Sequence, residues 1–197
     1  MLKNPQDRRA MRTAMQIKET MFSFLESKAI HEISVAQICR ECQINRATFY
    51  DHYRDVFDLV QDMESDILRQ LRELMETVTP EETPSDVVSQ LFFAFLGQRR
   101  QQMKVLLNGE RSREFSRRLD EQIMPFFERK ARQNYVIPQE KERAFQYALR
   151  FAATGYYRFF MQVIDSGQED TEEEARLCAM LSDASLSSLF ERKQERL

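Results

Sequence analysis

Asn45, Arg46, Thr48, Tyr50 and His52 place five polar side chains in one short stretch of an otherwise ordinary chain. Asn and Arg can each make paired hydrogen bonds to a single base edge, and Thr, Tyr and His are common phosphate partners. Ile38, Cys39, Ile44, Phe49 and Tyr53 are spaced to form a miniature core beneath them. Such a core would hold two short helices at a fixed angle, with the polar set on or near the outer face of the second. Ser34 and Gln37 form an S-x-x-Q capping box, in which each side chain satisfies a free backbone donor at a helix start. The candidate DNA-contacting set is therefore Ser34, Gln37, Asn45, Arg46, Ala47, Thr48, Tyr50, His52 and Arg54, with double-stranded operator DNA as the partner.

Other chemistries find little to work with. Cys39-x-x-Cys42 invites a zinc or redox reading, but there is no second CxxC and the only histidines are His31 and His52. Position 39 belongs to the motif core and position 42 opens the turn, so packing is the preferred role for both, with redox sensing the alternative. No nucleophile elbow, phosphate loop or HExxH is present. No catalytic residue, metal site or cofactor is expected. An enzyme is the first rival to a DNA-binding regulator, and turnover of small substrates against retardation of promoter DNA separates the two.

Glycines number 4 and prolines 5, clustered where helices would stop: Pro80 and Pro84, Gly109, Pro138, Gly167. Between them apolar residues recur at three and four, an all-α signature. The expected helices are about Asp7–Lys28 (with Met11, Met15, Phe22 and Leu25 on one stripe), Val35–Glu41, Asn45–His52 and Asp55–Val78. The last carries Val56, Leu59, Val60, Met63, Ile67, Leu71, Met75 and Val78 at clean helical spacing. Further helices are expected near 85–107, 112–133 (bent or broken at Pro125), 139–166 and 172–192, the last opened by a capping box at Thr171 and Glu174. A three-helix helix-turn-helix domain at 1–56, with its motif at 34–53, is thus joined by a long helix to a helical domain at 57–197. Thr79–Pro84 is the best hinge.

The net charge is −3 over 197 residues, with nine basic and seven acidic side chains in residues 1–56. That asymmetry is mild. Three cysteines and no basic-then-apolar leader point to a reducing cytoplasm, and the longest wholly apolar run, Leu91 to Leu96, is far short of a membrane span.

The stretch from Ile33 to Asp55 resembles the helix-turn-helix of the tetracycline-repressor (TetR) family, most recognisably in Thr48-Phe49-Tyr50 and His52-Tyr53. Asn45-Arg46 before Thr-Phe-Tyr resembles a subgroup seen in low-GC Gram-positive bacteria. The resemblance implies about nine helices, a homodimer, and a C-terminal domain that usually binds a small molecule. Three positions depart from the pattern. Gln43 stands where the family often has glycine, so a slightly strained or differently shaped turn is expected. Val56 stands where many members carry a phosphate-binding lysine, with Arg54 as its substitute. Asp51 adds a negative charge near the DNA face.

The C-terminal half is rich in aromatics, most of them core. Phe92, Phe95, Met103, Phe126, Tyr147 and Phe151 are assigned to the walls of a cavity for a small apolar effector. Two other sets are assigned to a subunit seam: Phe145, Leu149, Ala152, Tyr156 and Phe160 on one long helix, and Leu181, Leu186 and Leu189 on the last. Gly155, inside a helical pattern, marks a close helix approach, at the seam or against a bulky neighbour within the chain. A repressor released by its effector is the leading expectation. A DNA-binding regulator without a small-molecule ligand, controlled by a partner or acting as an activator, is the alternative.

Overall fold

The computed structural model describes residues 5–79, 83–166 and 172–193. Within them the chain forms nine α-helices and no strand: α1 (Pro5–Leu25), α2 (Val35–Glu41), α3 (Arg46–Tyr50), α4 (Val56–Thr77), α5 (Ser85–Gly97), α6 (Arg100–Asn108), α7 (Ser112–Asn134), α8 (Glu142–Ser166) and α9 (Glu172–Ser187). The chain divides into two compact units. One comprises Met1–Arg69 and Val105–Ser116, the other Gln70–Lys104 and Arg117–Leu197. The first unit extends past the boundary expected at residue 56. Part of the expected hinge, 80–82, and Thr171 and Gly167 lie outside the described residues.

In the first unit, α1, α2 and α3 pack in sequence around Ile17, Met21, Ile38 and Phe49, all fully buried. The buried stripe of α1 is not the expected one. Met11 and Met15 are exposed, because the packed face begins a turn later, at Ile17. The stripe of α4 does follow its spacing: Val56, Leu59, Val60, Met63, Ile67, Leu71 and Val78 are buried. Among these apolar residues Glu64 is also completely buried. The Arg111 guanidinium meets it as a fork, Nε donating to Oε1 at 2.9 Å and a terminal nitrogen donating to Oε2 at 3.3 Å. A buried carboxylate needs such a partner. Gly109, just after α6, is held by space: a Cβ there would sit 2.7 Å from the Val105 carbonyl oxygen.

In the second unit α9 packs on both α5 and α8. The helix expected at 85–107 is two helices. Arg99 lies over the Phe95 ring and donates to the Phe95 carbonyl at 3.0 Å, so it caps the last turn of α5 right after the weak helix former Gly97. By contrast α7 runs unbroken through Pro125, with Ile123 and Phe126 buried on either side. The last helix stops at Ser187 instead of Arg192. There the Val136 amide donates to the Glu191 carbonyl at 2.9 Å and the Lys193 amide to the Asn134 carbonyl at 2.8 Å, which turns the chain back along the end of α7.

Candidate nucleic-acid interface and cavity

The recognition segment is built by local capping. Ser34 ends the extended approach to α2. Its hydroxyl accepts from the Gln37 amide at 3.3 Å, while Gln37 Oε1 accepts from the Ser34 amide at 2.8 Å. Asn45 does the same for α3, its Oδ1 accepting from the Thr48 amide at 2.7 Å. Asn45 is thus occupied as an N-cap, a role that its candidacy as a base reader left out, and α3 is shorter than expected, at five residues. Between the two helices Gln43 has φ 53°, the only positive value at a non-glycine among the described residues. The turn demands the left-handed conformation that glycine adopts at least cost.

Beneath the polar face Ile38, Cys39, Phe49 and Tyr53 are buried and Ile44 is half-buried. Tyr53 donates its hydroxyl to Asp62 Oδ2 at 3.2 Å, tying the end of the motif to α4. Lys18 of α1 bridges Asp62, at 2.6 Å, and Asp66. Desolvation works against the Lys18 charge, yet these carboxylates hold its pKa above the ordinary lysine value. Asn45, Arg46, Ala47, Tyr50 and Arg54 are exposed, and Gln37, Thr48 and His52 are half-buried at the same surface. Arg46 makes no ion pair among the described residues. Arg54 is paired with Asp58 at 3.0 Å, so a phosphate would have to compete for it.

The cysteines are free and buried. Cys42 Sγ donates to Thr20 Oγ1 at 3.2 Å, and burial raises the pKa of both Cys39 and Cys42. Burial also pushes Cys178 up to about 12. Protonated, enclosed thiols are packing groups. No group of three or more His, Cys, Asp or Glu converges as a metal-ligand set among the described residues.

The second unit contains a cavity of about 100 Å³. Phe92, Leu96, Met103, Phe127, Leu149 and Tyr156 form much of its apolar wall, and Lys130, Asn134, Ser182 and Asp183 supply polar groups. Phe92, Phe127 and Tyr156 meet edge-on or tilted, with ring centroids 5.8 to 6.0 Å apart. Tyr156 donates to the Ser89 carbonyl at 3.4 Å, and burial raises its pKa. Tyr135 donates to Asp183; burial, then that carboxylate, pushes it up to about 12, so it remains a neutral donor.

Of the expected cavity residues only Phe92 and Met103 line this space. Phe95 and Phe126 are buried elsewhere, and Tyr147 and Phe151 are 61% and 75% exposed. The expected seam set is displaced in the opposite sense. Phe145 is fully buried, and Leu149, Ala152, Tyr156, Phe160 and Leu186 face the cavity of their own unit. Leu181 and Leu189 are exposed. The two faces of α8 are therefore exchanged relative to the expectation: a helix with large apolar residues all round buries the side that meets α5, α7 and α9. Exposed on α8 and α9 are Tyr147, Phe151, Gly155, Leu177, Met180 and Leu181. A Cβ at Gly155 would meet nothing within 4 Å among the described residues, so no described neighbour within the chain explains that glycine.

No protein-family model matches the chain. It is 33% identical over 81 residues, 41% of its length, to the uncharacterized HTH-type transcriptional regulator YxbF of Bacillus subtilis (strain 168). The match spans about a fifth, 20%, of the length of that curated relative. A TetR transcriptional regulator from Streptococcus agalactiae 2603V superposes with TM-score 0.66 at 18% identity, covering 94% of this chain and 98% of that one. The dihydroxyacetone kinase operon activator DhaS gives 0.63 at 16% identity, covering 91% and 98%. A transcriptional regulator from Aquifex aeolicus VF5 gives 0.58 at 18% identity, covering 90% and 97%. The all-α fold is that of TetR-type regulators, and these proteins are named as regulators of transcription, not as enzymes. No helix among the described residues is long and apolar enough to cross a membrane.

Proposed function

We propose that this chain is a cytoplasmic TetR-type transcription regulator that binds operator DNA as a homodimer, with the Asn-Arg-x-Thr-Phe-Tyr signature of its subgroup as the reading element. The observation that carries this reading is the capped, five-residue α3, seated on Phe49 and presenting Arg46 and Tyr50 to solvent. Arg46 reads a base edge, while Tyr50, Thr48 and the backbone around Ser34 and Gln37 meet phosphate. Duplexes selected from a random library should share a two-fold symmetric sequence. Arg46→Ala should then cost about 1–3 kcal/mol per half-site and relax preference at one base pair. Tyr50→Phe should weaken all sequences alike if its hydroxyl meets only phosphate. Selection that yields no shared sequence, or an Arg46→Ala chain that keeps the full preference, overturns the assignment.

The dimer forms through the exposed faces of α8 and α9, with Tyr147, Phe151 and Gly155 against Leu177, Met180 and Leu181 of a second copy. Two recognition helices need such a pairing to reach successive half-sites, about 34–36 Å apart. A small, mainly apolar effector occupies the cavity and lowers operator affinity. Helix α4 contributes residues to both compact units, 56–69 and 70–77, and is the element whose tilt would carry the signal. Coupling must be reciprocal: DNA should weaken effector binding by the same factor. Repression is the leading mode. Because one structural neighbour is named an operon activator, activation is the second reading, and transcription from a bound promoter with and without the protein separates them.

A further inference from the structure

α1 overshoots the core it serves. Its packed face starts at Ile17, and residues 8–12 are all exposed. That overhang carries Arg8, Arg9 and Arg12, and none of the three makes an ion pair among the described residues. Arg8, Arg12 and Gln16 follow one another at spacings of four, which aligns them along one face of the helix. Gln16 fixes where that row ends: its side-chain amide donates to the Cys42 carbonyl at 3.1 Å. Cys42 is the C-cap of α2, three residues before Asn45 caps α3. The arginine row therefore begins beside the turn that introduces the recognition helix. It runs on past that turn, with Arg12 about 6 Å and Arg8 about 12 Å along the axis from Gln16.

We propose that Arg8 and Arg12 form a second DNA contact, a sequence-independent clamp on the phosphate backbone flanking the bases read by α3. The chemistry favours phosphate over any compact ligand. Two exposed guanidiniums about 6 Å apart along a helix, with no pocket enclosing them among the described residues, suit a repeating line of charges. The clamp also gives an electrostatic reason for a chain of net charge −3 to approach DNA end-first. This inference rests on the DNA-binding reading above.

The test is the salt dependence of binding to a random-sequence duplex pool, on which phosphate contacts act without base reading. Loss of each phosphate contact lowers the slope of log Kobs against log salt by about 0.9. Arg8→Ala with Arg12→Ala should reduce the slope by about 1.8 for each protomer engaged, and should weaken selected and random duplexes by the same factor. The paired lysine substitutions should restore most of the slope. Arg72→Ala with Arg129→Ala, an equal charge change at two exposed sites of the other unit, should leave it unchanged. An unaltered slope in the Arg8/Arg12 variant overturns the clamp, as does an equal drop in the Arg72/Arg129 control. If the clamp fails while wild-type protein still prefers its selected duplex, the DNA-binding reading stands without it. Wild-type protein that binds no duplex at low salt overturns both.

Discussion

The helix-turn-helix and the α8–α9 pair differ in how far away their structural determinants lie. In the first, the caps Ser34 and Asn45, the core residues Ile38 and Phe49 and the left-handed Gln43 all sit within one short segment. In the second, the buried side of α8 is decided by α5, α7 and α9, up to tens of residues distant in sequence. Local chemistry is legible from spacing. A helix with aromatic residues on every side is not, because periodicity offers two faces and only the packing partners choose between them.

The largest expected effect tests that choice of face. Phe145→Ala should destabilise the protomer by about 3–5 kcal/mol, because Phe145 is fully buried. Phe151→Ala removes a ring that is 75% exposed in the protomer. It should leave the protomer folded and shift the monomer–dimer equilibrium instead. Chemical denaturation at several protein concentrations separates the two. The reverse pattern, a concentration-independent loss from Phe151→Ala and a shifted monomer–dimer equilibrium from Phe145→Ala, would restore the face expected from periodicity. A smaller effect is expected from Glu64→Ala in the first unit, about 1–3 kcal/mol, since it leaves the partly exposed Arg111 without the carboxylate it grips. A small loss there would mean that water replaces the carboxylate.

Two smaller predictions sharpen the local side of the comparison. Asn45→Ala should cost about 1 kcal/mol of stability through loss of the α3 cap, with Asn45→Ser retaining most of it. If Asn45→Ser loses operator affinity while keeping stability, Asn45 reads DNA in addition to capping. Gln43→Gly should stabilise by about 0.5–1 kcal/mol, because relief of about 1–2 kcal/mol of left-handed strain exceeds the entropy that glycine adds to the unfolded chain. A lower melting temperature would show that the Gln43 side chain contributes more than its backbone costs.

The same contrast explains what sequence alone made visible. The motif, its capping box and the α4 stripe were readable because each depends on neighbours within a turn or two, whereas the pattern gave one helix at 85–107 where there are two. The Glu64–Arg111 fork was not, since residues 47 apart meet only through the fold. A carboxylate interrupting the apolar stripe of α4 was its one signal. The cavity was half legible: its aromatic composition was visible, but of six expected lining residues only Phe92 and Met103 reach it. Met11 and Met15 misled in the same way, as apolar residues on a stretch of helix that stays exposed among the described residues.

The central claim, that two copies of this chain read a specific duplex through α3, is tested most directly by retardation of DNA from the region flanking its own gene, with random-sequence duplex as competitor. The account predicts a complex with the mass of two protomers that survives excess competitor in the wild-type protein and is lost with Arg46→Ala. A complex that random duplex displaces as readily as the flanking sequence itself would contradict it.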